Sequence, residues 1–243
     1  MTVSGEGYAP IGQIRDGDTV VTANNSSALK LLLGGAALCS NAKLIPPDEK
    51  SGKDRYTVLG DPTEACLGVA AQKGGMSLED LNRDYPRIME LPFDSRRKRM
   101  ATVHQLSGRF EGSNRIAFVK GSPKEVMELC GRCYDGSSSR PITQEDRDRI
   151  MYANDAYARD GLRVLAVAYR PLRKDDESLP LSIREYTPEN IERDLTFVGL
   201  VAMQDPPRSE VKDAVSLCRS AGIKIIMITG DYGLTAESIA RKI

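Results

Sequence analysis

Hydrophobic positions along this chain follow two different periods. Apolar residues at helical spacing predict helices beginning at Ser27, Asp61, Ser122, Thr143 and Ser209, and helix-start signals mark those at Asp61 and Ser122. Runs of strand length lie between them, at Ile88–Phe93, Met100–Leu106, Arg115–Lys120, Arg163–Tyr169 and Leu195–Met203. This succession predicts an α/β (α+β) fold with a mixed or antiparallel sheet flanked by helices.

The C-terminal part of the chain has a different pattern. A helix over residues 209–221 ends at Gly222, and the near-continuous apolar run Ile223–Ile228 follows. The strand over 195–203, this helix and a parallel strand over 223–228 would begin a doubly wound sheet. We therefore predict a truncated Rossmann-like piece, joined to the larger module at Asp205–Arg208, where two prolines interrupt regular structure.

Charge and composition exclude several classes of protein. The 243 residues carry 34 Lys plus Arg and 34 Asp plus Glu, and this net charge of zero argues against a nucleic-acid binder, which needs a basic excess. No apolar run reaches the roughly 18 residues of a membrane-spanning helix, and residues 1–6 do not resemble a signal peptide. These features predict a soluble intracellular polypeptide.

Cysteine and histidine chemistry is sparse in this sequence. The five cysteines are scattered, which is typical of reduced thiols. The pair Cys130 and Cys133 lacks two further ligands for zinc, and we expect Cys130 to close a helix face and Cys133 to open the next strand or turn. His104 is the single histidine and lies in a strand-like run, so we interpret it as structural. Histidine-dependent nucleophilic catalysis is therefore disfavoured, and no metal ligands are predicted.

Three short segments are candidates for binding a nucleotide. Thr229–Asp231 lies between an apolar run and a helix, a place suited to phosphate, although a capped turn explains the same residues. The basic run Asp94–Arg99 follows Phe93; it is typical of a solvated loop, but a ring beside cations also suits base stacking. Lys120 ends a strand, and Gly121 after it permits close backbone approach.

Six motifs, taken in order, resemble one protein family. They are GDPTE (60–64), LPFDSRRKRM (91–100), VKGSPK (119–124), LRVLAVAYR (162–170), DPPR (205–208) and TGDYGLTAESIA (229–240). Together they resemble the P-type cation-transporting ATPases, most closely the branch with calcium and sodium pumps, over essentially the whole chain. In that family a nucleotide-binding domain is inserted into a haloacid-dehalogenase-like phosphorylation domain.

The resemblance implies a set of ATP-binding residues. Phe93 would stack on adenine and Glu64 would hydrogen-bond near its amino edge. Lys98 and Lys120 would line the adenine pocket, with Gly121 beside them, and Lys120 is expected to lie outside the core. Arg163 would reach toward the phosphates.

Glu64 has two competing interpretations, and the sequence departs from the family pattern at two positions. Glu64 is also placed to complete a capping box with Asp61, and both roles could hold at once. Ser95 stands where some family members carry arginine, and Tyr232 replaces the more usual Asn or His. One phosphate contact is therefore in question.

The resemblance also implies the setting of the chain. Thr229, Gly230 and Asp231 would belong to the phosphorylation domain and face the γ-phosphate and its Mg²⁺. Residues 1–203 would form the nucleotide-binding domain, and residues 204–243 part of the phosphorylation domain. The implied partners are ATP and the remainder of the same pump, on the cytoplasmic side of a multi-pass membrane protein, with no nucleic acid and no direct membrane contact.

The resemblance implies an incomplete catalytic apparatus as well. The segment with the phosphorylated aspartate is expected before Met1, and further phosphorylation-domain motifs after Ile243, so this chain would bind ATP without turning it over. Calcium as the transported ion follows from the motifs only. Two alternatives stay open: a haloacid-dehalogenase-type phosphatase, although no nucleophile segment of that type is found, and a regulatory domain that no longer binds nucleotide.

Overall fold

The structure, a computed structural model, describes residues 1–48, 55–204, 209–228, 236–237 and 240–241. The predicted phosphate-facing segment Thr229–Asp231 and the junction Asp205–Arg208 lie outside these residues. The chain divides into two compact units, residues 1–142 with 166–199 and residues 143–165 with 200–243. The candidates Glu64, Phe93, Lys98, Lys120 and Gly121 belong to the first unit, and Arg163 and the segment 229–231 belong to the second.

Two small sheets lie near the N-terminus of the first unit. Strands β1 (Thr2–Val3), β2 (Ile14–Asp16) and β3 (Thr19–Val21) form one, and β4 (Lys43–Ile45) and β5 (Thr57–Leu59) form the other. Both are antiparallel. Strands of two or three residues are too short to show an alternating pattern, which is why the hydrophobic periodicity did not predict them.

A seven-stranded sheet forms the centre of the first unit. Its strands are β6 (Arg87–Asp94), β7 (Arg99–Phe110), β8 (Ser113–Gly121), β9 (Cys130–Tyr134), β10 (Ser139–Pro141), β11 (Arg163–Pro171) and β12 (Leu195–Met203). The spatial order is β10-β9-β12-β11-β8-β7-β6. β6–β7, β7–β8, β8–β11 and β9–β10 are antiparallel pairs, and β9–β12 is parallel. The predicted mixed, mostly antiparallel sheet is confirmed.

The predicted helices are present, and the structure adds two short ones, Leu78–Asp84 and Pro188–Ile191, that the sequence did not predict. The helices of the first unit are α1 (Ser27–Leu38), α2 (Pro62–Lys73), α3 (Leu78–Asp84), α4 (Pro123–Glu128) and the short α6 (Pro188–Ile191). Ser26 caps α1 by accepting a hydrogen bond from Leu29 N, and Asp61 caps α2 by accepting one from Thr63 N. The predicted cap at Asp61 is therefore confirmed, whereas Ser122 before α4 makes no side-chain cap hydrogen bond.

The core of the first unit lies between α1 and one face of the sheet. Residues directly opposite each other on neighbouring strands share a face, as Met100 and Lys120 do, and as Thr102 and Phe118 do. The thiol of Cys39, which ends α1, lies 3.5 Å from the carbonyl oxygen of Phe118. Burial in this apolar layer raises the pKa of the Cys39 thiol.

The second unit contains α5 (Gln144–Arg159) and α7 (Ser209–Ser220). A capping box starts α5, because Thr143 Oγ1 accepts from Asp146 N and the Asp146 carboxylate accepts from Thr143 N. None of the helices in the described ranges combines the length and the apolar character that crossing a membrane requires.

Two sequence predictions are wrong. Residues Ile223–Ile228 form no strand and are exposed, so the described part of the Rossmann-like piece has α7 without its parallel strand. A strand exists only as hydrogen bonds to a neighbour, and β12, its expected partner, lies in the large sheet between β9 and β11. Cys130 and Cys133 also do not divide a helix from a strand, since both lie within β9.

Candidate functional site

Lys120 lies in the middle of the large sheet. Its strand β8 pairs with β7 on one side, where Met100 is opposite, and with β11 on the other, where Val167 is opposite. Only 5% of Lys120 is exposed, so the expectation that it lies outside the core is wrong. An interior strand position covers the four-carbon stem on both sides, and the charged end needs a partner to be buried there.

Glu64 supplies that partner. Its Oε1 accepts a hydrogen bond of 2.6 Å from Lys120 Nζ, and its Oε2 accepts one of 2.7 Å from the backbone of Asn41. The carboxylate is therefore engaged away from the start of α2, and the capping-box interpretation of Glu64 is not what the structure contains. Pairing with the buried Lys120 ammonium stabilises the Glu64 carboxylate more than a capping-box hydrogen bond at the exposed start of α2 would, because burial strengthens electrostatic attraction.

Arg87 holds in place residues 38–41, the segment whose backbone contacts the Glu64 carboxylate. Its Nη2 donates to the carbonyls of Leu38 and Ser40, both at 2.6 Å, and its Nη1 donates to Asn41 Oδ1 at 2.5 Å. The guanidinium thus satisfies carbonyls at the C-terminal end of α1 and orients Asn41, whose backbone N–H meets Glu64. Sequence reasoning missed Arg87, because nothing local to it indicates a contact 46 or more residues away.

The basic run after Phe93 is a turn between β6 and β7. Asp94 Oδ1 accepts from the backbone N–H groups of Arg96 and Arg97, and these bonds, led by that from Arg97, lower the pKa of the Asp94 carboxyl. The side chains of Arg97 and Arg99 both bind the carboxylate of Glu192, whose side chain is fully buried. Two of the cations in this run are therefore structural rather than available to a ligand.

Lys98 and Arg96 are the exposed cations of this turn, and Lys98 is the candidate residue of the two. Lys98 has φ of 50°, in the left-handed region, and its side chain is 58% exposed. Its ammonium donates a hydrogen bond of 2.8 Å to Glu125 Oε1, which raises the pKa of Lys98. Burial raises the pKa of the Glu125 carboxyl, but hydrogen bonds from Lys98 and Ser122 outweigh this effect and leave that pKa lowered. Both partners are therefore charged at neutral pH.

Glu64 and Glu125 occupy equivalent helix positions. Each is the third residue of its helix, after a proline at the first, and each carboxylate binds a lysine instead of completing a capping box. Sequence reasoning noted the helix start before Glu125 without assigning a role to its carboxylate. Both helix starts read Asp or Ser, then Pro, any residue and Glu, and this shared pattern could have identified the Glu125 carboxylate as a partner for lysine.

Gly121 makes the predicted close approach, and the group it approaches is backbone of the same chain. A Cβ atom there would lie 2.4 Å from the Lys98 carbonyl oxygen and 2.5 Å from Arg99 Cβ. That same Lys98 oxygen accepts a hydrogen bond of 3.0 Å from Ser122 N. Gly121 thus lets the turn carrying Lys98 pack directly on the end of β8.

Phe93 is exposed beside this turn. It is the penultimate residue of β6, and 62% of it is open to solvent, an unusual exposure for one of only four phenylalanines. Four candidate residues, Glu64, Lys98, Lys120 and Gly121, adjoin one another through the contacts above, and Phe93 leads into the turn that carries Lys98. An exposed ring near ammonium groups can stack on a planar ligand and attract its anionic part.

The remaining candidates belong to the second unit. Arg163 is the exposed first residue of β11 and belongs to the second unit. Thr229, Gly230 and Asp231 are outside the described residues, so their predicted role stays a prediction.

His104 is structural, as predicted. It is fully buried, and its Nδ1 donates to the Tyr85 carbonyl at 2.8 Å while its Nε2 accepts from the Thr102 hydroxyl at 2.9 Å. Burial lowers its pKa to about 4, so the imidazole is neutral at pH 7. His104 is therefore a buried residue of β7 whose two ring nitrogens are both hydrogen-bonded.

The comparisons with known proteins bear directly on these residues. The sequence pattern described as the P-type ATPase cytoplasmic domain N matches residues 28–210, which is most of the chain. The chain belongs to the P-type ATPase family. The matched range contains every candidate residue of the first unit and Arg163 as well.

Several P-type ATPases are similar to this chain along nearly all of its length. It is 36% identical to a calcium-transporting ATPase of Bacillus subtilis over 241 residues, covering 98% of this chain and 25% of that protein. It is 38% identical to calcium-transporting ATPase 1 of Lactococcus lactis over 214 residues, covering 88% of this chain and 22% of that protein. A cation-transporting ATPase of Synechocystis is 34% identical over 247 residues, covering 99% of this chain and 25% of that protein.

The chain therefore spans about a quarter of the length of the relatives it matches. It corresponds to a cytoplasmic domain of a cation-transporting P-type ATPase, and the family resemblance inferred from the six motifs is confirmed.

Proposed function

We propose that the first unit binds ATP on the surface formed by Phe93, Lys98, Lys120 and Gly121, with Glu64 beneath it. Phe93 stacks on the adenine, and the two ammonium groups stabilise the nucleotide. The observation that carries the proposal is that Glu64 pairs with Lys120, and the turn with Lys98 packs on Gly121 at the end of β8. Phe93, on the strand that leads into this turn, is 62% exposed. Membership of the P-type ATPase family supports it further.

Glu64 has a second task in this proposal. Its carboxylate holds the Lys120 ammonium in place, since the two groups are 2.6 Å apart and only 6% of the lysine side chain is exposed. One of its oxygens also faces the backbone of Asn41, so it is held on both sides. A site held in this way loses little freedom when it binds a ligand, which improves affinity.

Phosphoryl transfer in this proposal goes to an aspartate outside the chain. The 243 residues contain no Asp-Lys-Thr-Gly-Thr segment, so the nucleophile is supplied by another part of the pump. Arg163 reaches the phosphates, and Thr229 and Asp231 face the γ-phosphate with its Mg²⁺. Mg²⁺ bound with the nucleotide neutralises developing charge, and the role of this chain is positioning.

The pump as a whole is proposed to couple ATP hydrolysis to cation transport. The named activities of the similar proteins, calcium transport among them, support this part, and they make calcium the first ion to test. The remainder of the same pump is then the partner of this chain, in a membrane whose cytoplasmic side this domain faces.

ATP titration of the 243-residue chain, followed by backbone amide shifts, tests the proposal. We expect shifts around Phe93, Lys98 and Lys120, with no release of phosphate. Phe93→Ala should weaken binding by about 1–3 kcal/mol, the usual worth of stacking a base on an aromatic ring.

Tyr152→Ala provides the matched control, because Tyr152 is also an exposed aromatic residue but lies on α5 in the second unit. It should leave ATP affinity unchanged. Absence of shifts around Phe93, or equal losses in both variants, would contradict the proposal. Phosphate release that disappears in Asp231→Asn would favour a phosphatase instead.

A further inference from the structure

A second opening lies in the first unit, away from the proposed nucleotide surface. It is a cavity of about 720 Å³ bounded by α1, by residues of and near α3, and by the far parts of β7 and β8. That volume lies within the roughly 300–1,000 Å³ typical of small-molecule sites. None of Glu64, Phe93, Lys98, Lys120, Gly121 and Arg163 lines it.

The floor of the cavity is apolar. Leu81, Ile116 and Phe118 line it and are buried, and the partly buried rings of Tyr85 and Phe110 also line it. Such a floor favours a flat apolar body, because aromatic faces and edges pack on one another at low cost in side-chain freedom.

The rim of the cavity is cationic. Lys30 on α1 and Arg109 on β7 both line it and are exposed, and no Asp or Glu is among the lining residues. In the described part of the chain neither side chain has an ion-pair partner, whereas Lys98 and Lys120 both do. Two unneutralised cations over an apolar floor select an anion by charge complementarity.

Glycine in α1 gives the cavity its shape. A Cβ atom at Gly35 would lie 2.7 Å from the Phe118 ring, so α1 packs here directly on the sheet. One residue earlier, Gly34 lines the cavity, where an added Cβ would lie 3.2 Å from Met76 Cε. The helix therefore presents backbone to the cavity where a larger side chain would narrow it.

We propose that this cavity binds a small aromatic carboxylate, its ring on the floor and its carboxylate between Lys30 and Arg109. The proposal does not depend on ATP binding, because the two surfaces share no residue.

A charge series of one ring system tests it on the intact 243-residue chain. The probes are 2-naphthoate, the neutral 2-naphthamide and the cationic 2-naphthylmethylammonium, each titrated while amide shifts are recorded. We expect 2-naphthoate to shift Gly34 and Arg109 and to bind roughly fivefold more tightly than 2-naphthamide, the size of an exposed charge contact. The ammonium compound should bind more weakly than both.

Variants then separate charge from shape. Lys30→Gln with Arg109→Gln should remove the advantage of the carboxylate over the amide while leaving 2-naphthamide affinity as it was. Lys43→Gln, an exposed lysine on β4, is the matched control and should change neither affinity. Equal binding of the three probes, absence of binding, or shifts centred on Phe93 would each overturn the proposal.

Discussion

Lys120→Ala is the substitution whose outcome depends most on the tertiary structure. A lysine outside the core could be shortened with little loss of stability, but Lys120 is buried and its ammonium lies 2.6 Å from Glu64. Removing it leaves the Glu64 carboxylate, 16% exposed, without its counter-charge. We therefore expect Lys120→Ala to lower the free energy of unfolding substantially.

The magnitude follows from the partners that Glu64 retains. Breaking a buried pair on one side costs about 3–5 kcal/mol, and the remaining hydrogen bond from Asn41 N places this case near the lower end, at about 3 kcal/mol. For a chain of this length 1 kcal/mol corresponds to about 2–4 °C, so the melting temperature should fall by about 6–12 °C. Thermal unfolding followed by circular dichroism at pH 7 measures it.

Two further variants make the experiment decisive. Lys98→Ala removes the other lysine of the surface, which is 58% exposed, and should lower the melting temperature far less than Lys120→Ala does. Lys120→Met combined with Glu64→Leu leaves no unpaired charge and should recover much of the loss. A melting temperature for Lys120→Ala within about 2 °C of the unsubstituted chain, equivalent to less than about 1 kcal/mol, would refute the reasoning.

The remaining predictions concern Gly121, Glu125 and His104. Gly121→Ala should cost at least about 1–3 kcal/mol of stability by calorimetry, because its Cβ meets backbone at 2.4 Å, whereas Gly131→Ala, with nothing within 4 Å, should cost none. Glu125→Gln should tighten ATP binding by up to about fivefold in calorimetric titration, since it frees the ammonium of Lys98, and an unchanged affinity would contradict this. Folding lowers the pKa of His104 from 6.5 to about 4, so between pH 6.5 and pH 4 the imidazole is protonated in the unfolded chain but not in the folded one. The folded state therefore loses stability as the pH falls below 6.5. Denaturant unfolding should show about 2 kcal/mol of this loss between pH 7 and 5, and His104→Gln should flatten it; an unchanged slope would show that the proton is taken up elsewhere.

The local elements were predictable from the sequence, and so was the family. Asp61 and Pro62 predict the start of α2, and the apolar pattern over Met100–Leu106 predicts β7. Helix caps and hydrophobic periodicity are properties of neighbouring residues, so the sequence alone contains them. The six motifs led to the P-type ATPase family for a similar reason, since each is a short run of residues. His104 was also interpreted correctly, from its place in a strand.

The pairings between elements were not predictable in this way. Nothing near Lys120 indicates that a carboxylate 56 residues earlier faces it, or that Glu192 binds Arg97 from 95 residues away. The apolar run 223–228 has the composition of a buried strand, yet whether it pairs depends on which strand lies beside it.

The sequence by itself therefore determined five of the helices and five strands of the large sheet, the charge balance and the family. Tertiary structure decided which charges are structural and which face solvent, because burial depends on strand register and on the helix that covers each face. It separated the buried Lys120 from the exposed Lys98, although both belong to the same short set of motifs. It also left Lys30 and Arg109 together at the rim of a cavity, a juxtaposition that only the packing of α1 on the sheet creates.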